Sequence, residues 1–241
     1  MLLLTDRKGK LFFYLIIFIL LSTQITKNQN IIKYSTTSVN YIEVTGMSYE
    51  NNLKVSESLN SLLFQNIFFI DKSDFHNILK ENNLIESFYI KKFYPNEIKI
   101  NIKQADLLAI TNQNGKKFYI GSNGKLISID KIKNFNKKLP FVFSKSNYNE
   151  FVKLKKIIDK SKFQFEEIES FYYFPSGRWD FKTNKGMLVK LPKKNILESL
   201  KFADLIKTNV QFKNNKIIDL RISNRIVASN EWKKFWYIFR I

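Results

Sequence analysis

His76 is the one imidazole in this chain, and there is no cysteine. General acid-base and metal chemistry draw on clusters of His, Cys, Asp and Glu, so little of either is open to this sequence. His76 follows Phe75 in a short helical stretch and reads as a half-exposed surface residue. The adjacent carboxylates Glu166 and Glu167 fall on a predicted linker or strand start and read as solvated. Gly124, between Asn123 and Lys125, is ordinary turn chemistry, and no GxGxxG, P-loop or GxSxG pattern occurs. Asp219-Leu220-Arg221 is the remaining candidate, as a structural ion pair near a sheet edge or as part of a binding surface. The sequence therefore predicts no catalytic residue, no cofactor and no metal, and a protein that is not an enzyme.

The elements that would carry such a surface are limited by composition. With 241 residues, 44% hydrophobic and 15% aromatic, the chain can bury one or two cores. Its formal net charge of +19 would suit nucleic acid. That charge is nearly all Lys, however, spread evenly among Asn and Ile, and reads as solvated faces with a weak attraction to anionic surfaces. No nucleic-acid partner is expected.

At the N-terminus, residues 11–21 form an unbroken apolar run behind Arg7, Lys8 and Lys10. The run is short against the ~20 residues that usually span a bilayer. It could be a signal-peptide core, but the following Ser22-Thr23-Gln24-Ile25-Thr26 offers no small-x-small cleavage site, and Lys10 and Lys27 can snorkel. We read an uncleaved anchor over 11–27, carried by Leu11, Phe12, Phe13, Leu15, Ile16, Ile17, Phe18, Ile19, Leu20 and Leu21. The basic residues place 1–10 in the cytoplasm and the rest outside it. Residues 28–38 read as a polar linker.

Beyond the linker, Ile42 and Val44 alternate with Glu43 and Thr45, a half-buried strand that Gly46 ends. Ser48 or Asn51 can cap a helix with Leu53, Val55, Leu59, Leu62 and Leu63 largely on one side. Ile67-Phe68-Phe69-Ile70 is read as a buried connector, and Ser73 opens a second short helix. A hairpin follows, with Pro95 in its turn. The order is strand, helix, helix, strand, strand.

In this order, Ile42-Glu43-Val44-Thr45-Gly46, Asn66-Ile67-Phe68-Phe69-Ile70-Asp71 and Phe93-Tyr94-Pro95-Asn96-Glu97-Ile98 resemble the POTRA domain of the FtsQ/DivIB bacterial cell-division proteins. The second half resembles the same family. It has a hairpin around Ser122-Asn123-Gly124-Lys125, then Leu139-Pro140, then Arg178-Trp179-Asp180-Phe181 leading to Val189-Lys190-Leu191. Ile217-Ile218-Asp219-Leu220-Arg221 is close to the family's "x-hydrophobic-D-L-R" signature. The fold class implied is α+β: an N-terminal transmembrane helix, a POTRA domain (β-α-α-β-β) over 39–106, then a mixed β-rich domain with two helices over 107–228.

The resemblance implies a non-enzymatic divisome scaffold in the cell inner membrane, single-pass, with periplasmic domains at the division septum that are linked to septal peptidoglycan synthesis. It implies that division proteins of the FtsB/FtsL type dock on the last β-strand, read over 217–228, at Arg221, Ile222, Ser223, Asn224, Arg225, Ile226 and Val227. An exposed edge suits this, because its free N–H and C=O groups accept a partner strand. Family members often carry an aromatic where this chain has Ile222. Other divisome members are implied at the POTRA domain and membrane helix. The tail 229–241, aromatic and basic, could touch a membrane, cover a sheet edge or bind septal partners. The alternative function is a periplasmic POTRA-type chaperone or translocation adaptor that binds extended client strands.

Overall fold

The N-terminal apolar run forms a helix, α1 (Arg7–Thr26), with the side chains of Phe12, Phe18 and Leu21 exposed. The computed structural model describes residues 7–26, 37–132, 135–144, 148–208, 216–222, 225–229 and 237–240. Among these, no helix is long and apolar enough to cross a membrane, so the anchor expected over 11–27 is not shown by the helix itself. Most of the expected linker, and parts of the N-terminal and C-terminal tails, lie outside the described residues. The chain divides into two units, 1–79 with 89–102 and 80–88 with 103–241.

The predicted strand-helix-helix-strand-strand order is present. It consists of β1 (Tyr41–Thr45), α2 (Tyr49–Ser58), α3 (Lys72–Leu79), β2 (Ile85–Phe93) and β3 (Glu97–Gln104). The three strands lie in the order β1-β3-β2, with β1 parallel to β3 and Ile42 and Val44 opposite Ile98 and Ile100. Period-2 alternation buries Ile98, Ile100 and Ile102 on one face, and the helices contribute Val55, Phe75 and Leu79 to the buried set. Gly46 is required where β1 ends: its φ is +104°, and a Cβ there would sit 1.9 Å from the Ile102 carbonyl oxygen. Ser48 is the N-cap residue of α2 but makes no side-chain cap bond. Asn52 fixes the turn instead, its side chain bonding both the N–H and the C=O of Met47 at 3.1 Å.

The connector 67–70 is only half buried. Ile67 and Ile70 are inside, whereas Phe68 and Phe69 are 57% and 82% exposed. Lys92 holds its backbone, with Nζ donating to the carbonyls of Ile67 and Ile70 at 2.7 and 2.6 Å. Phe68 stacks on Tyr94 at 4.9 Å.

The second half is built on one ten-stranded sheet. Its strands in chain order are β4 (Leu107–Gln113), β5 (Lys116–Gly121), β6 (Leu126–Ser128), β7 (Phe141–Phe143), β8 (Ile168–Phe174), β9 (Arg178–Thr183), β10 (Leu188–Lys190), β11 (Ile217–Asp219), β12 (Arg225–Ser229) and β13 (Tyr237–Arg240). In space they run β13-β12-β11-β10-β9-β8-β7-β4-β5-β6. Two helices were expected here, and α4 (Tyr148–Asp159) and α5 (Ile196–Thr208) supply them. Each is a crossover between parallel neighbours, α4 between β7 and β8 and α5 between β10 and β11, so the architecture is mixed α/β. Phe151 and Leu154 of α4 and Leu200 and Ala203 of α5 bury against Phe171, Trp179, Phe181, Val189 and Ile218. This core sits on one face of the sheet, and the alternate residues Phe141, Phe143 and Tyr172 form an aromatic row away from it.

Candidate functional site

β11 and β12 arise from one sequence segment that turns back on itself. Ile217, Ile218 and Leu220 are buried, which fixes β11 in the sheet. The chain then exposes Arg221 and Ile222, and the Arg225 N–H donates to the Ile222 carbonyl at 3.3 Å as β12 begins. The single strand read over 217–228 is therefore two antiparallel strands, paired Ile218 to Ala228 and Asp219 to Val227. Leu220 is buried in the core, whereas Arg221 and Ile222 meet solvent after β11 ends.

Of the seven candidate docking residues, Arg221, Ile222 and Arg225 are exposed and Val227 is buried. Ile226 is in β12, and Ser223 and Asn224 lie outside the described residues. Nor is β12 the last strand. β13 pairs antiparallel along it, setting Arg225 opposite Arg240, Ile226 opposite Phe239, Val227 opposite Ile238 and Ala228 opposite Tyr237. Of the three roles open to the tail, edge cover is the one seen in the structure. The β-branched and aromatic run Tyr237-Ile238-Phe239 was the signal for that strand, obscured by the aromatic and basic residues before it.

The Asp219-Leu220-Arg221 candidate is an ion pair. Arg221 Nε donates to both Asp219 carboxylate oxygens at 2.8 and 2.9 Å, its Nη2 bonds Oδ2, and the Arg221 N–H donates to Oδ1 at 3.1 Å. Burial alone would raise the pKa of Asp219, but these bonds outweigh it and hold the carboxyl below the usual carboxylate range. They also clamp the turn that launches β12. Sequence reasoning missed the row to which Asp219 belongs: register sets Asp180 of β9 opposite Lys190 of β10, and Lys190 opposite Asp219. Asp180 is buried, which pushes its pKa up; Arg178, with Nε 3.2 Å from Oδ1, only partly offsets this. Asp180, Lys190 and Lys216 line an open cavity of about 520 Å³ together with Tyr172, Phe174 and Leu188.

Among the described residues, no group of three or more His, Cys, Asp or Glu side chains is placed to hold a metal ion. The arrangement is a sheet margin with a clamped turn and an exposed apolar and basic lip.

Residues 37–104 match the family model "POTRA domain, FtsQ-type", and residues 109–221 match "Cell division protein FtsQ/DivIB, C-terminal". The chain is 29% identical over 205 residues to Cell division protein FtsQ of Rickettsia bellii (strain RML369-C), covering 80% of this chain and 74% of that protein. It is 27% identical over 186 residues to Cell division protein FtsQ of Rickettsia prowazekii (strain Madrid E), covering 76% and 68%. A solved major extracytoplasmic domain of the cell division protein DivIB from Geobacillus stearothermophilus is 12% identical, with a TM-score of 0.33, covering 44% of this chain and 94% of that one.

Proposed function

The chain belongs to the FtsQ/DivIB family of bacterial cell division proteins, and we propose that it works as a single-pass inner-membrane scaffold whose large sheet captures other division proteins at its β12 margin. In this reading residues 11–27 anchor the chain, 39–106 form the POTRA domain and 107–228 the partner-binding domain, both periplasmic at the septum. Small single-pass partners of the FtsB/FtsL type dock at Arg221, Ile222, Ser223, Asn224, Arg225, Ile226 and Val227. Other divisome members meet the POTRA domain and the membrane helix. The work is assembly that supports septal peptidoglycan synthesis, without catalysis.

The observation that carries the reading is the lip formed by Arg221, Ile222 and Arg225, exposed at one margin of the large sheet and clamped by Asp219. An exposed apolar side chain in a segment that also exposes two Arg residues suits strand addition, where backbone bonds give affinity and flanking side chains give selectivity. The test is co-purification of the small single-pass division proteins with the full chain. Ile222→Asp and Arg225→Glu should each abolish their recovery while the unfolding transition is unchanged, and loss of the protein should give filamentous cells. Unchanged recovery with both variants would remove the assignment.

A further inference from the structure

Strand addition needs an open edge, and the outer edge of β12 is taken by β13. That pairing carries a flaw: Arg225 of β12 is set opposite Arg240 of β13. Like charges directly opposite across a strand pair are unfavourable, whereas opposite charges contribute favourably. The other three pairs are Ile226 with Phe239, Val227 with Ile238 and Ala228 with Tyr237, combinations suited to a sheet. The tail therefore has the right strand chemistry at three positions and the wrong charge at the fourth.

Resting on the docking reading above, we infer that the outer edge of β12 is a strand-binding site which the chain's own tail occupies in cis. The partner that replaces it is an extended antiparallel strand, aromatic or aliphatic opposite Ile226, Val227 and Ala228, with a carboxylate opposite Arg225. β13 protects an edge that would otherwise pair indiscriminately with other strands. Its like-charge pair keeps the protection weak enough to be displaced. A carboxylate-bearing strand exchanges a repulsive pair for an attractive one, so selectivity comes from the charge opposite Arg225.

Two measurements test this. In the first, a fluorescent synthetic peptide of residues 230–241 is titrated against the chain ended at Ser229 and against the full chain. The shortened chain should bind it, an Arg240→Glu peptide should bind about fivefold tighter, and the full chain should bind neither. No binding to a shortened chain whose unfolding transition matches that of the full chain overturns the inference, as does equal binding to both chains.

In the second, the small single-pass division proteins are co-purified with the full chain, the chain ended at Ser229 and the full-length Arg240→Glu variant. Recovery should rise on shortening and fall with Arg240→Glu, which tightens the tail. Equal recovery from all three overturns the occlusion and leaves the docking reading standing. Loss of recovery from a folded shortened chain also overturns it, because the partner then adds to β13. Recovery from none of the three, with the peptide still binding, overturns the docking reading while the strand-accepting edge stands.

Discussion

Asp180 and Asp219 stand two strands apart in one cross-sheet row, yet their surroundings move them in opposite directions. Asp219 has a lowered pKa, so its contribution to stability is present above the ordinary carboxylate range and is lost as pH falls through its lowered value. Asp180 has a raised pKa, so it favours folding at low pH, and that advantage disappears as pH rises through its raised value. Asp219→Asn should therefore cost more stability at pH 7 than at pH 2, by about 1 kcal/mol, the worth of a charged hydrogen bond discounted because the Arg221 side chain is 39% exposed. Asp180→Asn should show the reverse slope, becoming relatively more favourable as pH rises. Urea unfolding of both variants at the two pH values checks this, and parallel slopes would refute it. The Asp219–Arg221 pair was legible in the sequence because its partners are two residues apart. Asp180 was not, because its burial depends on register with Lys190 and Tyr172, which no local pattern encodes.

At the level of elements, strands with one buried face were readable and short strands were not. β1 and β3 alternate along their length, and burial follows that alternation. β4 begins Leu107-Leu108-Ala109-Ile110, which has no period, and β7 is three residues long between parallel neighbours, so neither was predicted. Phe68 and Phe69 were misplaced because an apolar run looks buried throughout, whereas only the ends of this connector face inward. Two backbone devices position these elements. Gly46→Ala would need φ +104° and a Cβ inside the Ile102 carbonyl. It should lower stability by more than about 1 kcal/mol, read as a fall in Tm. Lys92→Met would leave the Ile67 and Ile70 carbonyls without their ammonium donor. Amides of the 67–71 connector should then exchange faster, with a cost of about 1–3 kcal/mol.

For the whole molecule, the order of an apolar helix, a small three-stranded unit and a large sheet was legible because each carries its own composition. The β13 cover was not, because that strand is only four residues long and its three successive apolar residues show no alternation. Placement in the membrane then turns on arithmetic at the N-terminus. α1 is 20 residues long, which is about 30 Å of helix at ~1.5 Å per residue, but its apolar stretch is only 11–21. Leu, Ile and Phe near a helix centre each favour insertion by about 0.3–0.6 kcal/mol, so the ten in this run supply only a few kcal/mol. One Arg costs about 2.5–3.5 kcal/mol there. Ile16→Arg with Ile19→Arg should thus cancel the driving force altogether, whereas Ile16→Leu with Ile19→Leu should leave it intact. In membranes washed with alkaline carbonate, the parent chain and the leucine variant should stay in the pellet and the arginine variant should move to the supernatant. External protease on spheroplasts should digest the body of the parent chain. Retention of the arginine variant in the pellet would mean that another part of the chain holds it to the membrane, and the anchor reading of residues 11–27 would fall.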